Sequence, residues 1–82
     1  MKIVKMKISD DVFLSAWLEI TGISGLVRLE GEFFPAAGIF LERLEYDDTG
    51  EALSSEDMQK YLEAIFDKVT EAALEMHKEL MS

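Results

Sequence analysis

Residues 53–80 read LSSEDMQKYLEAIFDKVTEAALEMHKEL, and the fold turns on this stretch. Met58, Tyr61, Leu62, Ile65, Phe66, Val69, Ala72, Ala73, Met76 and Leu80 recur at spacings of three and four. That spacing draws one broad apolar stripe along a helix. Gln59, Lys60, Glu63, Asp67, Lys68, Glu71, Glu75, Lys78 and Glu79 fall largely on the other side. Ser54 is a good N-cap, because its hydroxyl accepts from a free backbone N–H of the first turn. Leu53 and Met58 predict a hydrophobic staple. Glu56 and Asp57 stand where the helix dipole favours negative charge. At 1.5 Å per residue the helix is about 40 Å long. Such a stripe must be covered, so the chain upstream is expected to supply the layer beneath it.

Lys2–Ile8 reads as a first strand, with Val4, Met6 and Ile8 inward and Lys5 and Lys7 outward. Ser9, Asp10 and Asp11 are turn formers. As a strand, residues 12–20 put Val12, Leu14, Ala16, Leu18 and Ile20 on one face and Phe13, Ser15, Trp17 and Glu19 on the other. A helix capped by Ser9 and stopped at Gly22 is the alternative; the short polar link favours a hairpin. Thr21–Gly25 is a glycine-bearing turn. Leu26–Phe34 is a third strand, with Val27, Leu29 and Phe33 on one face and Gly31 marking a bulge or a close backbone approach. Pro35 ends it. Ala36–Tyr46 is expected to be a short helix using Ile39, Phe40 and Leu44, with a fourth strand as the alternative. Asp47–Ala52 is loop.

The 82 residues suffice for one domain, 1–82, with one modest core. The absence of cysteine rules out disulfides and thiolate metal sites, and it fits a reducing, cytoplasmic setting. A net charge of −9 disfavours nucleic acid and anionic membranes as partners. Apolar runs are too short to span a bilayer. Gly22-Ile23-Ser24-Gly25 approaches the Gly-x-Ser-x-Gly elbow of serine hydrolases, but Leu26 stands where the last glycine belongs. The one histidine, His77, falls on the polar side of the helix, as a solvated residue. Trp17 reads as a core or cap contact. With no nucleophile–base set, an enzyme is not expected.

Acidic residues crowd one region. Glu42, Glu45, Asp47, Asp48, Glu51, Glu56 and Asp57 share sixteen residues with one base, Arg43, and carry six of the nine net charges. Hard cations such as calcium take six to eight oxygens. With Glu45 as position one of a twelve-residue loop, Asp47 falls at three, Thr49 at five, Gly50 at six and Glu56 at twelve. Those are ligand and glycine positions of an EF-hand, with a helix following. The departures are glutamate at position one, Ala52 at position eight, and no second hand to pair with. The candidate metal ligands are therefore Glu45, Asp47, Asp48, Glu51, Glu56 and Asp57, for Ca2+. The alternative is a solvated acidic turn feeding a helix N-terminus.

A second feature is Gly31-Glu32-Phe33-Phe34, followed by Leu41-Glu42. It resembles the C-terminal accessory domain of lipoate–protein ligases, which shows a strand ending in Gly-Asp-Phe-Phe, then a helix with a Leu-Glu pair, a loop and a further helix. The resemblance covers roughly residues 26–66. Glu32 replaces the family's aspartate, Thr21–Gly25 is an extra segment, and the tail after Phe66 is extra. The resemblance implies a domain that lacks the lipoyl-adenylate site and assists a catalytic domain, sometimes a separate chain. The expected fold is α+β: an antiparallel sheet of three to four strands, with the long C-terminal helix and one shorter helix packed on one face. The expected function is a non-catalytic accessory domain with a protein partner, or else a small acidic calcium-binding domain.

Overall fold

Alternating strands with short polar links close into a hairpin series, and the long amphipathic stretch lies across it. The computed structural model describes residues 1–81. It contains β1 (Lys2–Ser9), β2 (Phe13–Glu19), β3 (Leu26–Phe34), β4 (Gly38–Tyr46) and α1 (Ser55–Met81). The strands form one antiparallel sheet in the order β1-β2-β3-β4. The architecture is therefore α+β, as expected, with one correction. The shorter helix expected at Ala36–Tyr46 is β4.

The physical reason for that misreading is a bulge. Glu30 pairs with Arg43 and Gly31 with Leu41, which leaves Glu42 as an extra residue in β4. The inward set therefore runs Ile39, Leu41, Leu44 and Tyr46. Its step of three between Leu41 and Leu44 mimics helical spacing. A second irregularity falls in β1, where Ile3 pairs with Leu18 and Lys5 with Trp17. Val4 is the extra residue and is 49% exposed, so Ile3, Met6 and Ile8 form the inward set rather than Val4, Met6 and Ile8.

The expected hairpin, with its turn at Ser9, Asp10 and Asp11, is present. Val12 N donates to Ser9 O at 3.1 Å, and Asp10 and Asp11 both have positive φ, the pattern of a type I′ turn. Asp is among the few non-glycine types that tolerate it. Gly31 explains itself once β4 is in place. A Cβ there would run into the Phe40 carbonyl and lie 3.2 Å from Leu41 Cα, so the bulged partner strand occupies the space a side chain needs.

Three rows cross the inner face, one of them Met6, Ala16, Leu29 and Leu44, and Phe33 with Ile39 extends that face on β3 and β4. Onto these rows α1 lays Ile65, Val69 and Ala73, at intervals of four and each fully buried. Burial of side chains such as Ile65 or Leu29 contributes about 1.5–3 kcal/mol each. Phe66, by contrast, is only half-buried. At about 40 Å, α1 matches the 38 Å long axis of the molecule and outruns the strands of nine residues, which span about 30 Å.

The start of α1 is held as the sequence anticipates. Asp57 N donates to Ser54 Oγ at 3.2 Å, and Leu53 is buried with Met58 packed against the same core. Tyr46, which closes β4, adds a further tie. Its hydroxyl donates to Asp57 Oδ2 at 2.5 Å and accepts from Ser54 N at 3.1 Å. One turn further, Tyr61 donates to the Thr21 carbonyl at 3.3 Å, fastening α1 to the β2–β3 turn. Among the described residues, no helix is long and apolar enough to cross a membrane.

Candidate functional site

The acidic stretch does not gather into a cage. Residues 45 and 46 belong to β4, and the chain then doubles back on that strand. Tyr46 N donates to Glu51 O at 2.9 Å, Leu53 N to Leu44 O at 3.1 Å, and Glu45 forms a bridge with Ala52. Gly50, with φ of +73°, closes the turn by donating from its N to Tyr46 O at 2.8 Å. The six candidate ligands are scattered by this geometry. Glu45 accepts from Arg28 Nη2 at 2.9 Å. Asp47 accepts from Trp17 Nε1 at 3.2 Å and lies 4.0 Å from Arg28 Nη1. Asp57 holds Tyr46 at the helix start. Asp48 lies against Gly25, and Glu51 and Glu56 are exposed. No group of three or more His, Cys, Asp or Glu side chains placed to hold a metal ion occurs among the described residues.

The other motifs fall as follows. Gly22–Gly25 is the turn between β2 and β3, tied by Ile23 N donating to Ile20 O at 3.0 Å. His77 lies on α1 and is half-buried rather than freely solvated. Gly31-Glu32-Phe33-Phe34 is split by the pleat: Phe33 is 1% exposed and Phe34 38%. The helix that the lipoate-ligase resemblance implies after this motif is replaced by β4.

What the fold does assemble is the face of the sheet opposite α1. Alternation sends Phe13, Phe34 and Phe40 to that face, 53%, 38% and 54% exposed. Phe13 and Phe40 flank Glu32 in one row across β2, β3 and β4. Phe34 meets Phe40 edge to face, with ring centres 5.5 Å apart. Such a contact is a favoured geometry of the aromatic quadrupole. Three phenylalanines therefore share one end of an uncovered surface.

The middle of the same face is a charge network around Arg28. Besides Glu45 and Asp47, its Nε lies 3.3 Å from Glu30 Oε1. That Nε is buried without a hydrogen bond, so Glu30 serves it as an ion-pair partner only. The hydrogen bond to Glu45, and after it the nearby carboxylates, raise the Arg28 pKa against the opposing effect of burial. Trp17 is therefore not a core residue. It lies on the open face, with Lys5 Nζ 5.1 Å from its ring centre as a cation–π partner.

Charge divides sharply between the two sides of the molecule. On the open face stand Lys2, Lys5, Lys7, Arg28 and Arg43. They are balanced by Glu19, Glu30, Glu32, Glu45 and Asp47. With exposed Glu42 at the β4 bulge added, the face carries a small negative excess, and most of the net charge of −9 resides elsewhere on the chain. The sequence signal for this surface was available. Phe13 and Trp17 sit out of phase with Leu14, Ala16 and Leu18, which already placed them on the opposite face. Phe40 became legible only with the strand assignment of β4. No protein-family model, no curated protein and no solved structure matches the chain.

Proposed function

We propose that this chain is a non-catalytic interaction domain, and that its working surface is the open face of the sheet. The observation that carries this is the placement of three exposed phenylalanines on one uncovered face of the sheet, whose charges nearly balance. Exposed aromatic clusters supply large contact area to interfaces, and a contiguous apolar patch usually marks a binding site. Both sheet edges are poorly suited to the task. Beside Leu44–Tyr46 the β4 edge is covered by residues 51–53, and the β1 edge carries three lysines and a bulge, which discourage strand addition. Glu45, Asp47 and Asp57 serve internal contacts, so we read the acidic stretch as structural and solvated charge rather than a cation site.

The resemblance at Gly31–Phe34 supplies a candidate partner: the catalytic chain of a lipoate–protein ligase. Because β4 departs from the family's helix, this assignment rests on the motif and on Phe34 at the surface. Titration calorimetry with the catalytic domain from the same organism tests it. The chain should bind, and should raise adenylation while having none itself. Phe34→Ser, verified as folded by its circular dichroism and melting curve, should weaken binding by about tenfold or more. No binding, or equal binding by the variant, would remove the ligase as partner.

A further inference from the structure

We propose that, in the absence of another partner, the open face is covered by a second copy of this chain, related by a twofold axis parallel to the strands. This rests on the open face being the working surface, and a heterologous partner would then compete with self-association.

Charge selects the axis. Across the sheet the face is polarised: β1 contributes Lys2, Lys5 and Lys7, whereas β2, β3 and β4 together with Asp47 contribute the compensating negative excess. A twofold axis running along the strands lays β1 of one copy over β4 of the other and keeps each transverse row at its own height. Lys5 and Glu45 share one row, through Trp17 and Arg28, so each Lys5 faces the Glu45 of the other copy. Lys2 lies in the row that ends at Asp47, through Glu19 and Leu26, and the same pairing follows. Arg43 is the exception, since its row places it over Lys7; it stands beside Glu30, its neighbour in β3. An axis across the strands would set the three lysines of β1 against themselves, which like-charge repulsion disfavours.

The aromatic end selects the same axis independently. With the axis along the strands, both aromatic ends meet: Phe13 on β2 of one copy lies over Glu32 on β3 of the other, with Phe34 two residues further along that strand. With the axis across the strands, each aromatic end would meet the opposite end, at Glu19 and Leu26. Four strands of up to nine residues give a face about 19 Å wide and about 30 Å long. Its area of about 570 Å² is below the ~800 Å² that each partner contributes to a standard interface, so the dimer is expected to be weak and reversible. Paired sheets also keep their strands within about 30° of one another, as an axis along the strands allows. Most of the net charge of −9 then stays in solvent, where repulsion between copies is least.

Two measurements decide it. Sedimentation equilibrium of the intact chain should show a dimer that the double substitution Phe13→Ser with Phe34→Ser weakens by about tenfold or more. Circular dichroism and melting curves check that this variant is folded. The chain has no cysteine, so single thiols report the geometry cleanly. A mixture of Lys5→Cys and Glu45→Cys chains, joined by a short bifunctional thiol reagent, should cross-link to each other faster than either does to itself. Three outcomes overturn the dimer: a monomer at about millimolar concentration, a dimer indifferent to Phe13 and Phe34, or Lys5→Cys chains that link fastest to themselves. If the chain is monomeric yet Phe34→Ser abolishes ligase binding, only the self-association fails and the interaction surface stands.

Discussion

Phe33 and Phe34 are neighbours in one strand, yet one is sealed in the core and the other lies on open surface. The same contrast runs through the whole sheet. On the covered face, Met6, Ala16, Leu29 and Leu44 make an apolar row beneath α1. On the open face the next row is Lys7, Ser15, Glu30 and Arg43. The covered face is the ordinary product of alternation plus an amphipathic helix. An open face made only of such polar rows would also be ordinary. What sets this one apart is the row holding Phe13 and Phe40, with Phe34 beside it, where the polar half of the alternation is replaced by aromatic rings. Burial explains the first face completely; the second carries hydrophobic area that folding does not use.

The contrast can be broken by substitution, starting where the effect should be greatest. Ile65→Ala, at the centre of the helix stripe, should destabilise the chain by about 2–5 kcal/mol in urea denaturation, because the cavity forms in a site with no exposure. Gly31→Ala tests how tightly the covered face is closed at the bulge. Its methyl would collide with β4 backbone rather than with a movable side chain, and about 1–3 kcal/mol should be lost. A neutral result would mean that β4 shifts freely there, and that the bulge is not a fixed part of the sheet. Smallest of the three, Phe40→Ser should cost no more than about 1 kcal/mol, chiefly the edge contact with Phe34. A loss there as large as at Ile65 would show that the open face is part of the core, and would undo the distinction between the faces.

Much of this architecture was readable from residues 53–80 and from the strand periods. Ser54 as N-cap, the stripe through Ile65, Val69 and Ala73, and the strand limits Leu26–Phe34 all follow from local rules: a hydroxyl beside free N–H groups, a period of 3.6, a period of two and a proline stop. These signals are carried within a few residues of one another, so the chain displays them without reference to the rest of the fold.

What only the tertiary structure decided is where periods slip and which distant residues meet. The bulges at Val4 and Glu42 exist because neighbouring strands impose their register, and each reverses the face of every residue beyond it. That is why Val4 points out and why Ala36–Tyr46 imitates a helix in its spacing. Spacing alone counts carboxylates in the acidic stretch; pairing across the fold assigns Glu45 and Asp47 to Arg28 and Trp17, seventeen and thirty residues away. Local sequence reports what a segment prefers. Long-range pairing determines which of those side chains remain free, and here it left free the aromatic end of one sheet face.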